Sequence, residues 1–195
     1  MTRLLLAAAA IVLAALATVS AYANDRIGDF VVYSTASDII ALDGEIDAGT
    51  IRDFHRALAA RPNTRVILLE SPGGYVDEAL RLAAEIRRLG LSTAIPKKFG
   101  CYSACSYLFF AGKEHVVRGE LGVHQVAEEG AKPGAPVYDG DVRMALKRYG
   151  APPSVIQAMA STPSSDMHVF SAKEISAYSL NRAAAGSKTT LYASR

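Results

Sequence analysis

Short apolar runs alternate with stretches of helical periodicity over the central part of the chain. The apolar runs predict buried strands at residues 30–33, 39–42, 66–69 and 91–95. Between them, apolar positions recur at the spacing of one helix face, first at Ile51, Phe54 and Leu58 and then at Val76, Leu80, Ala83 and Ile86. Strands that alternate with helices predict an α/β fold, in which helices flank a mostly parallel sheet.

The pattern is less regular beyond residue 100. Residues 101–110 are mostly apolar, which predicts a buried helix. Short strands are expected at 116–117 and 121–126. Residues 127–136 are rich in Glu, Gly and Pro and lack apolar periodicity, which predicts an exposed loop. Short helices are then expected at 142–149, 155–159 and 172–180. The chain shows no internal repeat, and its length suits one domain.

The first 23 residues predict a secretory signal peptide. Arg3 precedes fourteen consecutive apolar residues, and Ala21-Tyr22-Ala23 offers a small-residue cleavage site before Asn24. The apolar run is shorter than the roughly 20 residues that a membrane-spanning helix needs, although an uncleaved anchor is the alternative. Cleavage would export the protein to the periplasm or the extracellular space, with residues 24–195 as a single α/β domain.

Composition narrows the classes of partner. The 21 basic and 19 acidic residues are scattered along the chain and give a formal net charge of +2. This distribution argues against a nucleic-acid partner and against binding to anionic lipid. The four histidines and two cysteines show no metal-ligand spacing, so the sequence predicts neither a metal nor a cofactor.

Three local motifs carry candidate chemistry. Ser71-Pro72-Gly73-Gly74 follows a predicted strand, and its glycines would allow a sharp turn that leaves N–H groups free to bind an anion. Ser103 lies at a second junction between a strand and a helix, and His124 follows a later strand. Each motif also has a simpler interpretation, respectively as a tight turn, a helix cap and a structural histidine.

Taken together, the motifs resemble those of the proteolytic subunit of the Clp protease and, more broadly, of the Clp/crotonase superfamily. The similarity extends over residues 39–125 and includes Ile40-Ala41-Leu42-Asp43-Gly44, the apolar strand into Ser71-Pro72-Gly73-Gly74, Ser103 ahead of residues 108–112, and His124-Gln125. The chain also resembles exported members of this superfamily that carry C-x-S-A-C and G-x-H motifs. The resemblance implies a Clp/crotonase-like fold of repeated ββα units.

The resemblance also implies roles for individual residues. Ser103 would be the nucleophile and His124 its general base, because a serine hydroxyl attacks poorly until a base accepts its proton. The backbone N–H groups of Gly74 and Ala104 would form the oxyanion hole. Asp166 would complete the triad, although it lies one residue further from Ser171-Ala172 than the family pattern places it.

The third member of the triad stays open between two interpretations. Asp166 either orients the imidazole of His124 or simply follows Ser164-Ser165 in an exposed turn. Weaker candidates for the same role are Asp139, Asp141 and Glu128.

Two departures from the Clp pattern matter. Cys101 and Tyr102 replace small residues ahead of the nucleophile, which would narrow or block the cleft. The segment between His124 and Asp166 is shorter than the family's protruding helical handle, which removes the surface by which Clp rings stack. An exported chain also has no access to ATP, so we expect no ATPase partner. The expected function is therefore that of an exported serine peptidase acting on peptides or unfolded protein. The sequence leaves open whether the protein forms a homo-oligomer.

Three alternatives to this function remain at the level of sequence. The first keeps the fold and uses the same groove for binding or assembly without turnover. The second is a Ser-Lys peptidase with Lys132 or Lys147 as base, which the His124-Gln125 match disfavours. Chemistry on coenzyme A thioesters is least favoured, because that substrate is intracellular.

Cys101 and Cys105 flank the candidate nucleophile. If both lie in one helical turn, their Cα atoms are about 6 Å apart, which is within the range that a disulfide tolerates. An exported protein meets oxidising conditions, so the pair is expected either to form a disulfide or to be two small buried thiols.

Overall fold

The structure is a computed structural model that describes residues 24–126 and 139–194. The predicted signal peptide, the predicted loop at 127–136 and the candidates Glu128 and Lys132 lie outside these residues. Within the described part, no helix is both long and apolar enough to cross a membrane.

The described part of the chain contains nine strands and seven helices. The strands are β1 (Asp25–Ile27), β2 (Phe30–Val32), β3 (Ile39–Asp43), β4 (Val66–Glu70), β5 (Ser92–Ile95), β6 (Gly100–Tyr102), β7 (His115–Val117), β8 (Glu120–Val123) and β9 (His168–Val169). The helices are α1 (Thr50–Ala60), α2 (Val76–Arg88), α3 (Cys105–Ala111), α4 (Gly140–Tyr149), α5 (Pro153–Ser161), α6 (Ala172–Ala177) and α7 (Lys188–Ala193).

The larger sheet has six strands in the order β1-β2-β3-β4-β5-β7. Strands β3, β4, β5 and β7 run parallel to one another, and β1 and β2 add an antiparallel edge. The first four residues of both β3 and β4 are buried, as expected for strands that are covered on both faces of a sheet. The structure therefore confirms an α/β fold with a mostly parallel sheet flanked by helices.

A second sheet of three strands, in the order β6-β8-β9, lies beside the first. Strand β6 is parallel to β8, and β9 is antiparallel to β8. An isolated bridge between Ser71 and Cys101 joins the end of β4 to β6. The two sheets thus meet where β4 ends, next to the candidate motifs.

The prediction of one helix over residues 101–110 is wrong at its start. Residues 100–102 form β6, and helix α3 begins only at Cys105. The backbone of β6 pairs with β8 and with Ser71, and Gly100 N–H also donates to the Glu70 carboxylate at 2.8 Å. These tertiary hydrogen bonds override the local apolar pattern. Similarly, β8 ends at Val123 and α6 at Ala177, earlier than expected.

Helix α3 lies in the middle of the core. All seven of its residues are buried, and it packs against α2 and α4. A helix that is apolar on every side must be enclosed, which explains why this segment shows no amphipathic period. The turn that precedes α3, and carries Ser103, is therefore fixed to a rigid element.

The C-terminal helix α7 covers the opposite face of the larger sheet. Ala193 packs in a second buried cluster with Ile39, Leu68 and Val116. Asp38, just before β3, binds both Lys188 Nζ and the hydroxyl of Tyr192, the latter at 2.6 Å. These contacts attach the end of the chain to the beginning of the parallel part of the sheet.

Candidate active site

Ser103 occupies a strained turn between β6 and α3. Its φ of 54° lies in the left-handed region, which residues other than glycine rarely adopt. Both of its backbone groups are fixed: the N–H donates to Gly122 O at 3.0 Å, and the carbonyl accepts from the N–H and the hydroxyl of Ser106 at 3.0 and 2.7 Å. Backbone strain that the surroundings enforce in this way clusters at functional sites.

The Ser71-Pro72-Gly73-Gly74 segment packs directly against this turn. A Cβ at Gly73 would lie 2.8 Å from Ser103 Cβ and 3.0 Å from Ala104 N, so only glycine allows the approach. Gly73 and Gly74 also have positive φ angles of 101° and 141°. The structure therefore brings the two predicted oxyanion-hole segments into contact.

Hydrogen bonds hold this segment from both sides. Ser71 N–H donates to Gly100 O at 2.8 Å and Ser71 O accepts from Tyr102 N–H at 3.0 Å, while Gly73 O accepts from Ile46 N–H at 2.7 Å. Within the described residues, the N–H groups of Gly74 and Ala104 donate to no protein acceptor. Two unused backbone donors therefore lie on segments that meet beside Ser103.

His124 follows β8 on the strand next to β6. The parallel register pairs Tyr102 with Gly122, so Ser103 and His124 both lie just beyond the carboxyl ends of neighbouring strands. Ser103 and His124 are both half-buried. Among the described residues, no hydrogen bond joins these two side chains, and such bonds are often long before substrate binds.

The hydrogen bond at His124 Nδ1 determines its tautomer. Nδ1 lies 2.6 Å from Gln125 O, and a carbonyl oxygen only accepts, so the proton must be on Nδ1. In the neutral ring, Nε2 then carries the lone pair, as a general base requires. Gln125 is itself fixed, because its N–H donates to Thr162 O at 2.9 Å and its side-chain amide donates to Ala160 O at 2.6 Å.

Asp166 does not bind His124 in this structure. Its carboxylate is exposed and accepts from Met167 N–H at 2.8 Å. The antiparallel register pairs Val123 with His168, so the segment before β9 runs beside the residues that follow β8. The orienting role that the resemblance implies for Asp166 therefore stays an untested expectation, and in this structure the Gln125 carbonyl holds the position at Nδ1.

The weaker candidates are engaged elsewhere or exposed. Asp139 Oδ2 forms an ion pair with Arg143 Nε at 2.6 Å. Asp141 and Lys147 are exposed in the first and last turns of α4. Lys147 has no bond to Ser103 within the described part of the chain.

Cys101 and Cys105 lie at disulfide-bonding distance on either side of Ser103. Their Cα atoms are 5.3 Å apart, and both residues are fully buried. The pair joins the middle residue of β6 to the first residue of α3, so the premise of a single helical turn is wrong, although the expected separation is close. The left-handed residue between them closes the chain back on itself.

The ring of Tyr102 points back along β6. A Cβ at Gly100 would lie 2.5 Å from the Tyr102 hydroxyl oxygen, and that hydroxyl donates to Glu120 at the beginning of β8. The bond to Glu120, followed by burial, raises the pKa of Tyr102 to about 12, so the hydroxyl keeps its proton. The ring therefore extends toward the end of the strands remote from Ser103.

Comparisons with protein-family models and with curated proteins gave no match to this chain. The described residues contain no group of three or more His, Cys, Asp or Glu that could hold a metal ion. The arrangement provides a hydroxyl, an imidazole with a defined tautomer and two unused N–H donors, which are the components of acyl transfer.

Proposed function

We propose that this protein is an exported Clp-like serine hydrolase that cleaves peptides or unfolded protein segments. Ser103 would act as nucleophile and His124 as general base. One observation carries the proposal: the strained Ser103 turn packs against Gly73, so that the unused N–H donors of Gly74 and Ala104 lie on adjoining segments.

The chemistry proceeds in two acyl transfers. His124 Nε2 accepts the proton of Ser103 Oγ while Oγ bonds to the scissile carbonyl carbon, and the resulting oxyanion is stabilised by the N–H groups of Gly74 and Ala104. The C–N bond then breaks as His124 donates its proton to the leaving amine. Water, deprotonated by the same imidazole, cleaves the ester of Ser103 and restores the hydroxyl.

The Gln125 carbonyl would orient the imidazole in this mechanism. It fixes the Nδ1–H tautomer as a triad carboxylate does. A neutral carbonyl stabilises the imidazolium less than a full negative charge would, so we expect a slower hydrolase than one with a bonded aspartate.

Export and the absence of an ATPase partner remain part of this proposal. They depend on the signal peptide predicted for residues 1–23. Without an unfolding motor, substrates would be limited to short peptides and to segments that are already unfolded.

A binding or assembly module with the same fold is the second candidate function. It is favoured by the missing hydrogen bond between Ser103 Oγ and His124 within the described residues. A module of this kind would use the groove beside Ser103 without turnover.

Labelling with a fluorophosphonate probe separates the two candidates, because the probe reacts only with an activated serine. We expect the folded protein to be labelled, Ser103→Ala to abolish labelling, and Ser164→Ala, at an exposed serine, to leave it unchanged. Undiminished labelling of Ser103→Ala would contradict the assignment of the nucleophile. A folded protein that is never labelled would favour the binding module.

A further inference from the structure

A cleft separate from the candidate active site opens between the β7–β8 corner and the segment around α6. It has a volume of about 520 Å³, within the range of small-molecule sites. Its polar lining comes from Arg118, Ser176, Ser179 and Asn181, and its apolar lining includes Phe170 and Ile175. Gly119, at the cleft, and His124 are five residues apart, or about 16 Å along an extended strand.

Hydrogen bonds of backbone and side-chain groups hold both walls of the cleft in place. Asn181 Oδ1 accepts from Val117 N–H at 2.7 Å, and the backbones of His115 and Arg182 exchange hydrogen bonds of 2.9 and 2.8 Å. On the other wall, Phe170 N–H donates to Leu121 O at 2.9 Å. The cleft is therefore preformed by the two sheets.

The polar groups of the cleft are unused donors. Arg118, Ser176 and Ser179 are exposed at the cleft, and among the residues that the structure describes the guanidinium of Arg118 has no ion pair or hydrogen bond, and neither do the two hydroxyls. Because Asn181 uses its oxygen as acceptor, its side-chain NH₂ group remains free to donate. Ser179 is held in the left-handed region, with φ 53°, by hydrogen bonds within its own turn.

Nearby carboxylates are directed to other partners. Glu120 accepts from the hydroxyl of Tyr102, and Glu174 accepts from the hydroxyl and the N–H of Ser171.

A concave surface with a free guanidinium and further donors favours a carboxylate as ligand, because a guanidinium binds a carboxylate with two parallel hydrogen bonds. The half-buried side chain of Ile175, together with the largely buried Phe170, gives the cleft an apolar part, which favours a ligand whose anionic group is attached to an apolar body.

We propose that this cleft binds organic carboxylates with an apolar body, such as the free carboxyl end of a peptide whose last side chain is aliphatic. Arg118 and the amide of Asn181 bind the carboxylate, and the side chain lies on Phe170 and Ile175. The site does not depend on Ser103 chemistry, and it would be present in the hydrolase and in the binding module alike.

An NMR titration of the purified protein tests this site with N-acetyl-leucine as probe. We expect a Kd on the order of 1 to 10 mM, with the largest shift changes at Ile175, Ser179 and Asn181. N-acetyl-leucinamide, which lacks the charge, should bind at least about tenfold more weakly. Inorganic phosphate tests whether any small anion suffices, and equal binding of phosphate would overturn the requirement for an apolar body.

Two variants identify the residues responsible. Arg118→Gln should weaken N-acetyl-leucine at least about tenfold, whereas Arg148→Gln, at an exposed arginine of α4 outside the cleft, should not. Ser179→Gly removes a hydroxyl without straining the left-handed backbone, and it should weaken binding by a smaller factor. Equal affinity of the acid and the amide, or unchanged binding by Arg118→Gln, would overturn the proposal.

Discussion

At the scale of single residues, the backbone of Ser103 yields a test that is independent of activity. A non-glycine residue in the left-handed region costs roughly 1 to 2 kcal/mol, and Ser103 has φ 54°. Ser103→Gly relieves this strain but adds freedom to the unfolded chain, whereas Ser103→Ala keeps the strain. We therefore expect Ser103→Gly to be more stable than Ser103→Ala by up to about 1 kcal/mol, as measured by urea unfolding. A less stable glycine variant would contradict the left-handed turn.

The paired roles of Ser103 and His124 predict strong non-additivity. Each of Ser103→Ala and His124→Ala should abolish peptide hydrolysis. The double variant should be scarcely worse, because the first substitution already disables the catalytic unit to which both residues belong. Rates of the three variants under single-turnover conditions measure this. Losses that multiply independently would exclude the pair as a catalytic unit.

Unlike the resemblance, the hydrogen bonds of the structure predict that Asp166 is dispensable for the tautomer of His124. Its carboxylate is exposed and bonded to Met167 N–H, whereas Nδ1 of His124 is bonded to Gln125 O. Asp166→Asn should therefore leave kcat/KM within a factor of about three and the ¹⁵N shifts of His124 unchanged. Gln125→Ala, which removes the bond to Ala160 O, should move the ring toward the other tautomer. A loss of several decades with Asp166→Asn would restore the aspartate as third member.

At the scale of elements, the sequence predicted whether a segment is a strand or a helix better than it predicted the residues at which these elements begin and end. Strands β3 and β4 were predictable because their apolar runs must be buried on both faces. The sequence also placed Ser103 at a junction between a strand and a helix, but the left-handed turn there was not predictable, because β6 forms through hydrogen bonds to β8 and Ser71, which are distant in sequence. The bond from His124 to Gln125 O depends on a side-chain rotamer, and no spacing rule reports a rotamer.

The connection between β6 and α3 predicts the redox state of the cysteines. Cys101 and Cys105 lie at disulfide-bonding distance and are fully buried. We expect the non-reduced protein to show no alkylatable thiol under denaturing conditions and a mass two daltons below that of the reduced chain. A bond that closes so short a loop should add about 2 kcal/mol to the free energy of unfolding. Two alkylatable thiols before reduction would exclude it.

At the scale of the whole molecule, the candidate site lies where the two sheets meet, and the C-terminal helix lies on the other face of the larger sheet. Residues 71–74 follow a strand of the first sheet, whereas Ser103 and His124 follow strands of the second. Both faces of the larger sheet are therefore buried, one under α1 to α3 and the other in part under α7. Release of α7 should expose Ile39 and Leu68 without displacing the Ser103 turn.

Acid should release α7 first, because its attachment depends on Asp38. The hydrogen bonds from Lys188 and Tyr192 hold the pKa of Asp38 below its ordinary value. A depressed folded-state pKa stabilises the fold above the unfolded-state value of about 4, and this contribution is lost as pH falls below that value. We expect the protection factors of the α7 amides, which correct for the pH dependence of intrinsic exchange, to fall below about pH 4 in the wild type. Asp38→Asn should already show the lower protection at pH 7, whereas Asp25→Asn, at an exposed residue of β1, should behave as wild type. Equal protection factors of α7 at pH 3 and pH 7 would contradict this attachment.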